Sequence, residues 1–118
     1  MSKLHILFLV ALFALAGCSA ENGSQGAQSA VKAGFVEPTG TPEVVALYNR
    51  SCRSCHAQGQ ARAPLTGDTL AWEPRLAQGM DVLLDHTING YQGMPPMGMC
   101  FDCEEDDFVA LIKYMSGS

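Results

Sequence analysis

Five consecutive residues, Cys52-Arg53-Ser54-Cys55-His56, constrain this chain more than any other feature. On one helical turn, two sulfurs three positions apart can meet the two vinyl carbons along one edge of a porphyrin. The next residue then lies under the metal. Cys-x-x-Cys-His is accordingly the attachment signature of c-type haem, with both sulfurs in thioether bonds and histidine on the iron. Three other chemistries compete: a surface disulfide, a thioredoxin-like dithiol, and half of a zinc site completed by Cys100-Phe101-Asp102-Cys103. The zinc account leaves His56 and the Met94-Pro95-Pro96 run without a purpose. Neither flank of the first pair has the strand and helix pattern of a dithiol oxidoreductase.

The start of the chain bears on the compartment. Lys3 is followed by an apolar run from Ile6 to Ala16 and then by Leu15-Ala16-Gly17-Cys18. That run is shorter than the roughly 20 residues needed to span a bilayer, so residues 1–17 read as a removed export signal. The Leu-Ala-Gly-Cys ending resembles the lipobox of bacterial lipoproteins, which implies acylation of Cys18 and attachment to a membrane through several lipid chains. Residues 18–40 form the lipid-anchored N-terminus and a tether rich in Gly, Ser, Ala, Gln and Asn, with a span of roughly 25 Å. Twelve acids against seven bases give a formal net charge of −5, which argues against nucleic acid as a partner.

Residues 41–118 then remain for one small domain. Thr41-Pro42-Glu43 opens a helix that is expected to reach about Arg50, through a capping hydroxyl, a proline at the first helical position and an acid at the positive dipole end. After a Cys-rich turn and a Gly/Pro/Ala segment from Ala57 to Thr69, short helices are expected at about Leu70–Trp72 and Met80–Asn89. Gln92 to Gly98 is a stiff loop, because two prolines fix φ while the glycines free it. A last helix from Glu104 to Met115 places Phe108, Leu111, Ile112 and Met115 on one apolar face. No strand pattern is present. A domain of about 78 residues in short helices depends on a staple or bound group.

A low-spin electron carrier needs a sixth iron ligand that excludes water, and a thioether favours the ferrous state. Met80 and Met115 fall on helix faces and read as core, whereas Met94, Met97 and Met99 sit in or beside the stiff loop. Met94 is the first choice over Met97, because Pro95 restricts its backbone to extended conformations.

Cys-Arg-Ser-Cys-His, Gly67-Asp-x-x-x-Trp-x-Pro-Arg-Leu-Ala-Gln-Gly79, Met94-Pro95-Pro96-Met97-Gly98 and Cys100-x-x-Cys103 occur here in one order. Over roughly residues 41–115 the chain closely resembles the cytochrome c5 group of class I cytochromes. The resemblance implies an all-α, small class I cytochrome c fold of several short helices around one covalently bound haem c. Carried over, Cys52 and Cys55 are the thioether cysteines, His56 the proximal ligand, Met94 the distal ligand, and Cys100 with Cys103 a disulfide. Trp72 would pack beside the haem, and the Pro64 carbonyl would hold the other ring nitrogen of His56. Two departures are Met97, where a lysine is common, and Glu104, where a serine often caps the last helix. Arg75 could hold a haem propionate or simply be exposed, and His86 reads as a surface or helix-packing residue.

The expected function is electron transfer with His/Met ligation and no catalysis. Redox proteins of the respiratory chain would be donor and acceptor, with no small-molecule substrate. The expected place is the periplasmic side of the bacterial envelope, on the outer membrane because Ser19 follows Cys18. The alternatives are a haem enzyme or ligand sensor with a displaceable methionine, and a zinc or dithiol lipoprotein without haem.

Overall fold

The computed structural model describes residues 33–118. The expected export signal, Cys18 and the tether as far as residue 32 lie outside the described residues. Among those described, no helix is long and apolar enough to cross a membrane, and two isolated bridges are the only β pairing.

Helix α1, Pro42–Leu47, starts where the capping signals place it, with the Thr41 hydroxyl accepting from the Val44 amide at 3.4 Å. The chain does not leave the helix near Arg50, however. A π-helical turn, Tyr48–Cys52, leads directly into α2, Arg53–His56, so the cysteine motif is helical rather than a turn. In that turn the Ser51 hydroxyl donates back to the Leu47 carbonyl at 2.6 Å, and the Arg53 amide reaches five residues back to Tyr48, the wide register of a π-turn. Gly59, with φ of 70°, ends the run as its amide closes on the Cys55 carbonyl at 2.8 Å.

Helix α3, Thr69–Leu76, is longer than the Leu70–Trp72 expected. Asp68 caps it by accepting from the Ala71 amide at 3.1 Å, and the helix runs past Pro74. That proline removes the one donor that would reach the carbonyl of Leu70, an exposed residue. Helix α4 occupies Met80–Asn89, as expected, between Gly79 and Gly90.

Helix α5, Glu105–Ser116, is capped by Glu104 itself: its amide is held by the Asp107 carboxylate at 2.9 Å and its side chain accepts from the first turn. The acid run thus completes a capping box and faces the positive helix end. Phe108, Leu111, Ile112 and Met115 are all buried and form the spine of the core with Tyr48, Trp72, Leu83 and Leu84. Met80 packs at its edge. Helix α5 touches α1, α3 and α4. Leu111 is 1 % exposed, so Leu111→Ala should cost about 2–5 kcal/mol, the range for such cavities. Chemical denaturation of the haem-loaded protein should show that loss as a lowered midpoint.

The expected tether to Gly40 is shorter than its composition suggests. Gly34 to Val36 lie against Gly67 to Thr69, and Gly40 lies against the Tyr114 ring.

Candidate functional site

The helices leave a predominantly apolar cleft that opens to solvent at its mouth, the concave, apolar kind of site in which cofactors are held. Cys52, Cys55 and His56 line it from the motif helix, Trp72 and Arg75 from α3, Leu83 and His86 from α4, Met94 from the loop, and Ile112 and Met115 from α5.

His56 is 6 % exposed, and its Nδ1 lies 2.9 Å from the Pro64 carbonyl. A carbonyl only accepts, so Nδ1 carries the proton and Nε2 keeps its lone pair. Burial pushes the pKa of His56 down, and this outweighs the opposing pull of the Pro64 carbonyl, so the ring is neutral near pH 7. A neutral imidazole whose second nitrogen is tied to a carbonyl is fixed in orientation, with its other nitrogen able to serve a metal. The Trp72 ring stacks near it, with centroids 5.8 Å apart and planes at 22°, and donates from Nε1 to the Leu65 carbonyl at 2.9 Å.

Cys52 and Cys55 are free thiols on the same cleft, the first buried and the second half-buried. Burial holds the Cys52 thiol above its ordinary pKa, partly offset by the Ser51 hydroxyl. Among the described residues no three of His, Cys, Asp and Glu gather as they would around an ion, so a zinc site finds no support. The sulfurs of Cys100 and Cys103 are instead in bonding contact with each other, with Cα atoms 5.4 Å apart.

The loop separates the methionines. Met94 exchanges two backbone hydrogen bonds with Tyr91, at 3.0 and 2.9 Å, and Pro95 follows in extended geometry. Gly98 lies so close that a Cβ there would stand 3.1 Å from the Met94 methyl carbon. Met94 lines the cleft, Met97 turns onto the core, and Met99 is exposed at the cleft rim. Met97, Gly98 and Met99 all have positive φ, which is how two prolines and one glycine make so tight a fold.

Some lining residues were not singled out by sequence reasoning. Arg62, Tyr91 and Gln92 reach the cleft, the last through a left-handed backbone. His86 stacks on Tyr91 at 3.8 Å and lines the cleft as well as packing on its neighbour. Arg75 bonds to the Ala71 carbonyl, one turn back on its own helix, while facing the same space. Arg50 grips Asp102 through two bonds of 2.8 Å, joining the motif helix to the turn between Cys100 and Cys103. The contact holds Asp102 below its usual pKa. Both groups are exposed, so its stabilising effect is small. No local pattern marks it, because the partners stand 52 residues apart.

Known proteins resemble this chain in sequence and fold. The family described as cytochrome C oxidase, cbb3-type, subunit III matches residues 41–115. Cytochrome c5 of Azotobacter vinelandii is 43% identical over 77 residues, covering 64% of this chain and 89% of that protein. Cytochrome c-555 of Chlorobaculum tepidum is 48% identical over 76 residues, covering 61% of this chain and 70% of its own. A mono-haem ferrocytochrome c from Shewanella putrefaciens superposes with a TM-score of 0.57 at 46% identity, covering 62% of this chain and 90% of that one. The cytochrome c of an electron-transfer complex with nitrite reductase gives 0.58 at 42% identity, covering 64% and 93%.

The chain belongs to this family of class I c-type cytochromes. Within that class, the curated relatives it matches are cytochromes c5 and c-555.

Proposed function

We propose that this protein is a mono-haem electron carrier of the bacterial envelope, with His56 and Met94 as the axial ligands of iron. The observation that carries the reading is the convergence of a neutral, carbonyl-anchored His56, two free thiols and Met94 on one apolar cleft. These residues fit haem c. When bound, the group supplies the one-electron change between Fe(III) and Fe(II).

Cys52 and Cys55, presented from one helical stretch, would supply the sulfurs of two thioether bonds. His56 presents Nε2, with its ring plane held by Pro64 and flanked by Trp72. Met94 offers a soft sulfur on a loop pinned at Tyr91 and packed against Gly98. With His56 and Met94 both serving the iron, the chain would leave no position for substrate and would keep water from the metal. Cys100 and Cys103, as a disulfide, fasten the end of the ligand loop to the start of α5.

Partners are redox proteins of the respiratory chain. That a similar cytochrome c was captured with nitrite reductase supports a protein partner rather than a small molecule. Residues 1–17 direct export, Cys18 carries lipid, and residues 41–118 form the redox domain on the periplasmic side, held at the outer membrane.

Reductive titration of purified protein should consume one electron per chain, with haem absorption that stays with the polypeptide after denaturation and acid-organic extraction. Extraction of all haem, or titration of two thiols with no haem absorption, contradicts the reading.

A further inference from the structure

Residues before the family match make close contact with the segment that holds His56. The Val36 amide donates to the Gly67 carbonyl at 2.8 Å. The Gly34 carbonyl accepts twice from Thr69, at 2.7 Å from its amide and 2.8 Å from its hydroxyl. The approach demands a bare glycine: Gly67 has φ of +82°, and a Cβ there would stand 2.4 Å from the Val36 carbonyl oxygen. On its other side Gly67 donates to the Met115 carbonyl at 2.7 Å.

The short stretch from Pro64 to Thr69 therefore has two neighbours. Its Pro64 carbonyl holds His56 Nδ1, its Leu65 carbonyl holds Trp72, and the Thr66 amide donates to the His56 carbonyl at 2.8 Å. The Thr66 hydroxyl bonds both Tyr48 and that same carbonyl. Phe35 and Leu70 line a second cavity that His56, Leu65 and Thr66 also border, and Gly34 sits directly on the Leu70 side chain.

From this arrangement we infer that residues 34–36 are a positioning strap: by clamping Gly67 to Thr69 they keep water from the His56–Pro64 hydrogen bond and thereby set the donor strength of the ligand histidine. The inference rests on His56 as iron ligand. It gives residues outside the matched 41–115 a part in the redox chemistry without contact with the iron. With the strap gone, water competes for the Pro64 carbonyl, Nδ1–H donates to it less strongly, and His56 pushes less electron density onto the metal. Ferric iron then loses more stabilisation than ferrous iron, and the potential rises.

Two variants of the haem-loaded full chain test this. Thr69→Val removes one donor to Gly34, and deletion of residues 33–37 removes the strap outright. In the deletion variant the His56 Nδ1 proton, followed by NMR in the reduced state, should exchange with solvent at least tenfold faster than in wild type. Its reduction potential should be higher. Thr69→Val should shift both in the same direction by less, with Val36 amide protection reduced. Exchange within twofold of wild type and an unmoved potential, in whichever variant accumulates with haem, overturns the inference and leaves the strap a cover alone. If the wild-type Nδ1 proton lacks the upfield shift of an iron-bound imidazole, the ligand assignment fails first, and the inference with it.

Discussion

Met94→Ala should convert a closed iron site into an open one. The reduced variant should bind carbon monoxide rapidly, the oxidised variant should lose its sulfur-to-iron absorption band, and the reduction potential should fall by on the order of 0.1 V or more. Axial ligands shift haem potentials across about 0.8 V, and exchanging a thioether for water or hydroxide forfeits the soft donor that favours the ferrous state. The fold should survive, because Met94 is only half-buried and the loop stays pinned at Tyr91. Met97→Ala is the control. Met97 packs on the core rather than lining the cleft, so that change should lower stability while leaving the band and the potential in place.

The double substitution Cys52→Ala, Cys55→Ala should have the other large effect, on folding. Cleft-lining residues come from the motif helix, α3, α4, α5 and the ligand loop, so the bound group serves as a large part of the core. A domain of this size buries little surface by itself. Losing the covalent group should remove stability on the order of the 5–15 kcal/mol that a small domain possesses. The purified variant should show little helical circular dichroism and no haem retained on denaturation. A variant with wild-type helix content and no haem would show instead that the helices pack into a stable core without the group.

Much of this was legible in the sequence where local rules act alone. The last helix declared its buried face through Phe108, Leu111, Ile112 and Met115, and α4 its end through Asn89 and Gly90, because periodicity and glycine act within a few residues. The cleft-forming roles of Cys52, Cys55, His56 and Met94 followed from the chemistry of a short motif and a proline-stiffened loop. The Pro64 carbonyl came from family resemblance, since nothing local marks one carbonyl over another. Other features depended on contacts between distant residues. The π-helical turn over Tyr48–Cys52 carries no mark in the periodicity of its residues. The Arg50–Asp102 contact and the docking of Gly34 to Val36 on Gly67 to Thr69 join residues far apart in the chain. Composition described residues 34–36 as tether, because a hydrogen-bonded strap of Gly, Phe and Val carries no periodic signature. Helix α3 outran its expected end because Pro74 falls where the missing donor costs little.

The electron-carrier reading stands or falls with the pairing of His56 and Met94 on the iron, and the absorption spectrum of the unmodified protein decides it. Oxidised protein should show the sulfur-to-iron band at the long-wavelength edge of the visible spectrum, and reduced protein should be unchanged under carbon monoxide. An oxidised spectrum without that band, together with rapid carbon monoxide binding to the reduced form, would contradict the pairing and point to an open iron site.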